Sequence, residues 1–247
     1  MKRPLSVATR LALGLASVAS LHAQAFTRQD SLRGTLSPLR SCYDVTHYDL
    51  RVRVDPLTRR IEGSNVISYR PTADFRRMQV DLFANLDVTD VRQAGRPLKF
   101  SREGNSLFLN FPEVQRKNRP ASVQISYRGR PVVAKNPPWD GGFSWKKDRK
   151  KKDWVTVSCE GTGASLWWPC KDHLSDEPDS MRIRIAAPAG LMAVANGNLR
   201  GVQKLDNGFS EYDWTVSYPI NTYNVTLNVG DYETLHDTYR AADGDTL

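Results

Sequence analysis

Glu160 is the carboxylate whose surroundings invite a chemical reading. It stands in the stretch Cys159-Glu160-Gly161-Thr162-Gly163-Ala164-Ser165-Leu166-Trp167-Trp168-Pro169-Cys170, directly after the strand-like run WVTVS. Gly161 and Gly163 free the backbone to turn sharply and to approach another group closely. Trp167 and Trp168 can pack the loop down, and Pro169 restricts its exit. A carboxylate on a loop clamped at both ends is pre-positioned to accept charge-assisted hydrogen bonds from a cation. The same residues also fit an ordinary solvated glutamate, and the stretch alone does not choose between the two.

Other chemistries lack their residues. Past the first 25 positions the histidines are His47, His173 and His236; no two share a ligand spacing, and neither His-Glu-x-x-His nor a paired Cys-x-x-Cys occurs. No metal ligand is assigned. His173 lies among Asp172, Asp176, Glu177 and Asp179, but the Asp-x-Asp-x-Asp-Gly alternation of a calcium loop is missing, so a solvated turn is expected. Gly161 to Ser165 is not Gly-x-Ser-x-Gly, and no Gly-Lys-Ser/Thr follows to make a phosphate loop. Trp139, Trp145 and Trp154, interleaved with bases, could line a carbohydrate or peptide groove or simply anchor a long loop. Cys42, Cys159 and Cys170 allow at most one bridge within the chain, and small buried residues are an equal reading.

The elements that must position Glu160 are strands. After residue 42 the chain alternates with period two. In HYDLRVRVDP, Tyr48, Leu50, Val52 and Val54 face one way and Asp49, Arg51 and Arg53 the other. IEGSNVISYRP, MQVDLF, PLKFS, SLFLNF and SVQISYRG continue the habit, as do MRIRI, YDWTVSY and TYNVTLNVGDY, the last with Tyr223, Val225, Leu227 and Val229 on one face. No helical period is sustained over ten residues. The expectation is an all-β fold of antiparallel, curved sheets or a β-sandwich. Residues 131–153, rich in Pro, Gly, Trp and Lys, read as one long loop.

Lys2, Arg3 and Arg10, an apolar run over residues 11–21 and the small-x-small triplet Ala23-Gln24-Ala25 form a secretory signal pattern over residues 1–25. The apolar run is short of the roughly 20 residues a membrane span needs, so an exported protein (periplasmic, cell-surface or extracellular) with no membrane span is expected. Residues 26–41 read as a linker and 42–247 as one β domain. That domain stops just after a Gly-Asp turn signal, where a further strand is expected, so the chain reads as a fragment. The net charge of +8 falls to +5 once the three bases of the leader are set aside, and most of it sits in Lys146-Lys147-Asp148-Arg149-Lys150-Lys151-Lys152-Asp153. A nucleic-acid footprint would spread along a face, so this run reads as a solvated loop and no nucleic-acid partner is expected.

The sequence resembles the N-terminal domain of the aminopeptidase N family, the zinc-dependent metallo-aminopeptidases. The resemblance is carried by YDVTHYDLRVRVDPLTRRIEG, by CEGTGASLWWPCKDHLSDEPDSMRIRI, and by PAGLMAVANGNL with TYNVTLNVGDY, together running from about Cys42 to Tyr232. It implies a saddle of β-sheets that packs on a thermolysin-like catalytic domain. It also implies that Glu160 binds the free α-amino group of a peptide substrate. Gly161, Gly163, Trp167, Trp168, Pro169, Cys170 and Asp172 are then the scaffold of its turn. The family's His-Glu-x-x-His with a later Glu, and its Gly-x-Met-Glu-Asn strand, are absent from residues 1–247. Zinc is therefore implied for a full-length enzyme, with no metal bound and no catalytic residue in this chain. A contrasting expectation is a standalone β-sandwich module that binds an anionic glycan or peptide through Trp139, Trp145 and the lysine loop; another is a non-catalytic relative that has lost its catalytic domain.

Overall fold

A computed structural model of the chain describes residues 26–235 together with 237, 238 and 242. The signal-pattern segment, His236 and the abrupt ending lie outside the described residues. The strands are β1 (Tyr43–Asp55), β2 (Arg60–Pro71), β3 (Phe75–Asp81), β4 (Leu86–Gln93), β5 (Arg96–Pro97), β6 (Lys99–Glu103), β7 (Ser106–Gln115) and β8 (Ala121–Gly129). They continue as β9 (Gly142–Lys147), β10 (Asp153–Ser158), β11 (Ser180–Pro188), β12 (Met192–Val194), β13 (Asn198–Leu205), β14 (Phe209–Val216) and β15 (Asn228–Gly230). An eight-stranded sheet runs β13-β14-β11-β1-β2-β8-β4-β5, a second runs β12-β15-β10-β9 and a third β3-β7-β6. The all-β class with several antiparallel sheets is as expected. The exception is β1–β11, which pair in parallel through His47 opposite Ser180 to Arg53 opposite Ala186.

The long hairpin of β1 and β2 shows how sequence becomes structure. Asp55 ends β1, and its carboxylate accepts from Leu57 N at 3.0 Å, Thr58 N at 3.3 Å and Thr58 Oγ1 at 2.8 Å. An aspartate that bonds the backbone ahead of it builds the turn locally. The alternating apolar residues then share one buried face: Tyr48, Leu50, Val52 and Val54 from β1, Ile61, Ile67 and Tyr69 from β2. The core lies where this face meets the two smaller sheets, drawing Met78 and Leu109 from one and Phe143, Val155 and Val229 from the other.

Three segments differ from their sequence reading. Residues 26–41, read as a linker, fold into α1 (Arg28–Gly34) and α2 (Pro38–Ser41). Thr27 and Asp30 form a reciprocal capping box on α1, and both helices are shorter than the window in which a helical period can be recognised. The long loop 131–153 contains β9, whose Phe143 is buried and stacked on half-buried Trp145 at 5.2 Å. In TYNVTLNVGDY only Asn228–Gly230 is strand; Thr222–Asn224 is a 3-10 turn that swings Tyr223 outward while Val225, Leu227 and Val229 stay buried.

All three cysteines are buried and free. Burial pushes the Cys42 thiol up to about 11 and that of Cys159 up to about 12, with Cys170 raised as well. A thiol is reactive only as its thiolate, so the folded chain at pH 8 should give almost no prompt colour with a disulfide reagent such as DTNB. The chain in denaturant should titrate three thiols. Prompt reaction of the native protein would mean that this part of the core opens readily.

Candidate functional site

Glu160 follows β10 by two residues and is exposed. The backbone behind it closes a tight turn: Cys159 O accepts from Thr162 N at 3.1 Å and from Gly163 N at 2.8 Å. Gly161 and Gly163 take left-handed conformations, with φ of 64° and 82°. A Cβ on Gly163 would also lie 2.3 Å from Asp172 Oδ2, so this position needs glycine for both backbone shape and close approach.

Asp172 sits beneath the turn as its tie. Its carboxylate accepts from Ala164 N at 3.3 Å, Ser165 N at 3.0 Å and Ser165 Oγ at 2.6 Å. Trp167 and Trp168 are fully buried, with Trp168 set edge-on to Tyr48 at 4.9 Å. Pro169 O accepts from buried Asn65 Nδ2 at 2.8 Å, and Cys170 exchanges backbone hydrogen bonds with Asp81 at 2.8 and 3.1 Å. Asp172 thus ties the turn, and Trp167, Trp168, Pro169 and Cys170 are buried in the segment that follows it.

Residues that sequence reasoning did not single out complete the arrangement. Tyr223 donates its hydroxyl hydrogen bond to Glu160 Oε2. Arg33, on α1, donates to Gly161 O at 2.5 Å. Ser158 Oγ accepts from Glu160 N at 3.3 Å and donates to Pro138 O at 2.7 Å, which ties the turn to the loop bearing Trp139. Beneath, buried Arg40 donates to Asp81 Oδ2 at 2.7 Å, and buried Lys171 donates to Asp176 Oδ2 at 2.6 Å and Tyr43 O at 2.7 Å. No local pattern signals Tyr223, Arg33 or Arg40, because their partners lie elsewhere in the chain; Asp176, read with its acidic neighbours as part of a solvated turn, is instead buried on Lys171. His173 is half-buried, and its Nδ1 accepts from Ser175 N at 3.1 Å.

Electrostatically, Glu160 is left open. Among the described residues no ion pair uses it. It lines a depression of about 350 Å³ with Trp139, Tyr223 and Val225. Trp139 is 74% exposed there, whereas Trp145 borders a different depression with Lys146 and Lys147. The two tryptophans therefore do not line one groove. Among the described residues no group of three or more His, Cys, Asp or Glu is gathered to hold a metal ion.

Residues 44–224 match the family model of the peptidase M1 N-terminal domain. The chain belongs to this family. The M1 N-terminal domain seen here has the fold found in solved M1 zinc metallopeptidases. The enzyme from Deinococcus radiodurans is 22% identical and superposes with a TM-score of 0.65 over 76% of this chain and 42% of that one. A mutant of the Deinococcus radiodurans enzyme bound to a Tyr-Ser-Ala substrate gives 22% identity and a TM-score of 0.70 over 84% of this chain and 46% of that one. A two-domain M1 zinc metallopeptidase mutant bound to L-tryptophan is 23% identical, with a TM-score of 0.65 over 76% of this chain and 42% of that one. The chain spans less than half the length of each. Comparison with curated proteins finds no match. The resemblance to the N-terminal domain of aminopeptidase N-like proteins is met in family and in fold. Among the described residues of the M1 domain, no helix is long and apolar enough to cross a membrane.

Proposed function

We propose that the chain is the substrate-anchoring β domain of an exported zinc aminopeptidase, which removes N-terminal residues from peptides. The observation that carries this reading is Glu160: an exposed carboxylate without a protein counter-ion among the described residues, at the tip of a turn braced from the core by Asp172 and from the side by Arg33. An exopeptidase must tell a terminal ammonium from an internal amide, and a fixed anion supplies that discrimination by charge and by accepting the ammonium's N–H bonds. Gly161 and Gly163 shape the turn, Trp167, Trp168, Pro169 and Cys170 root it in the core, and none of them reacts.

The described residues do not fit zinc, and the roles assigned to them involve no metal. The ion and the thermolysin-like catalytic domain are assigned to sequence that residues 1–247 do not contain, in keeping with relatives of which this chain covers 42% and 46%. When bound, such a metal supplies Lewis-acid activation of water and of the scissile carbonyl. Export rests on the charge and apolar pattern of residues 1–25.

The test is made on the full-length protein. An amino-acid anilide should be cleaved, and the same anilide with its α-amino group acetylated should be cleaved at least 100-fold more slowly, about 2.7 kcal/mol of lost recognition. Equal cleavage of both, or cleavage of neither, would refute the reading.

A further inference from the structure

We infer that Tyr223 is a positioning residue for Glu160, its hydroxyl holding the carboxylate in the orientation that receives a ligand ammonium. The inference deepens the proposal above and rests on Glu160 being the amine anchor. Its observation is separate: a hydrogen bond between residues 63 positions apart, from the Tyr223 hydroxyl to Glu160 Oε2.

The two groups are held by different parts of the fold. Glu160 rides on the turn after β10, while Tyr223 sits in the 3-10 turn Thr222–Asn224. That turn is itself fixed: Asn221 Oδ1 accepts from Tyr223 N at 2.9 Å, Val225 N donates to Thr222 O at 3.1 Å, and Asn196 Nδ2 donates to Asn224 O at 3.0 Å. Thr222 is buried, so the turn is anchored while the phenol projects from it at 41% exposure. The Glu160 carboxylate pushes the phenol's pKa above its ordinary value, chiefly through this hydrogen bond. The hydroxyl therefore keeps its proton, and stays a donor, throughout the neutral range.

The consequence is geometric. A glutamate on a surface turn samples many rotamers, and a ligand that needs one of them must pay for that selection. Tethering Oε2 selects the rotamer in advance and leaves Oε1 as the acceptor for a ligand's N–H groups. Trp139 borders the same depression and is largely exposed. Tyr223 touches Glu160 and not the reacting bond; its role is orientation.

The test is a double-mutant cycle in the full-length protein, read on an amino-acid anilide, with wild type, Tyr223→Phe, Glu160→Ala and the double variant. Phenylalanine keeps the ring and removes only the hydroxyl of an exposed side chain, so the thermal midpoint should not move. The expected result is a KM raised about fivefold with kcat changed by less than about twofold, because ground-state and transition-state binding are lost together. In the Glu160→Ala background the same substitution should do nothing. Independent, multiplying effects would show that Tyr223 acts apart from Glu160 and would overturn the inference. So would an unchanged or lowered KM in Tyr223→Phe beside an impaired Glu160→Ala, and in that case the anchor reading survives alone. Wild-type kinetics in Glu160→Ala would remove the anchor reading and this inference together.

Discussion

Asp81→Ala is expected to destabilise the domain by about 3–5 kcal/mol, the cost of leaving a buried charge without its partner. The side chains of Arg40 and Asp81 are 1% and 5% exposed, with Nη2 and Oδ2 at 2.7 Å. Arg40 Nη1 also donates to Arg33 O at 2.7 Å and Thr35 O at 3.1 Å. Asp81 Oδ1 accepts from Gln79 Nε2 at 2.9 Å and Ser106 Oγ at 3.3 Å, and Asp81 Oδ2 from Asp172 N at 3.3 Å. Removing the carboxylate strands the guanidinium and three neutral donors at once. The same cluster joins α1, β3 and the segment below the Glu160 turn, so the turn should loosen as the pair is lost. Urea unfolding measures the effect. An apolar pair, Arg40→Met with Asp81→Leu, should recover most of the loss, since a buried ion pair is costly to break and less costly to replace. A single variant within about 0.5 kcal/mol of wild type, the range of ordinary surface changes, would show that the cluster is not buried in solution.

The same carboxylate sets a pH dependence. Burial pushes Asp81 up to about 6, against the opposing pull of Arg40 and Gln79. A carboxyl raised from its ordinary value of 3.8 is protonated more readily in the folded than in the unfolded chain. The protonation-linked part of its contribution is therefore fully present below about pH 4 and lost as pH rises through about 6, while the pairing and hydrogen bonds that Asp81→Ala removes remain. The stability of wild type relative to Asp81→Asn should accordingly fall across that window and level off above it. A difference that instead grows between pH 4 and 6 would reverse the assignment.

Glu160→Ala in the full-length protein should lower kcat/KM on amino-acid anilides by 10-fold or more, about 1.4 kcal/mol per decade. The thermal midpoint should stay put, because the side chain is exposed and its loss empties no core volume. Glu160→Gln separates charge from hydrogen bonding: the amide keeps one acceptor oxygen but adds two donors that face an ammonium badly. It should fall between alanine and wild type. Kinetics unchanged in both variants would remove the role from Glu160.

Much of this protein is legible locally. Alternation of apolar residues reports which face of a strand is buried, and Tyr48, Leu50, Val52 and Val54 lie where that pattern places them. Asp55 announces its own turn, because the bonds that build it reach only three residues ahead. Gly161 and Gly163 mark a backbone bend around an acid, since left-handed conformations favour residues without a Cβ. Short elements escape the same reading. α1 has too few residues to display a period, and β9 lies among prolines, glycines and lysines that speak for a loop.

What the linear chain determined by itself was an all-β domain of the M1 N-terminal kind, with one acid set in a glycine turn above a buried Trp-Trp-Pro-Cys root. Tertiary structure alone decided what holds that acid. Tyr223 reaches it across 63 residues, Arg33 grips its turn across 128, and Arg40 meets Asp81 across 41. The parallel register of β1 on β11 belongs to the same class. Apolar alternation and turn residues act on neighbours and leave a mark in sequence. A hydrogen bond or ion pair between distant segments is specified only by the packing that brings them together, and it leaves no mark at either end.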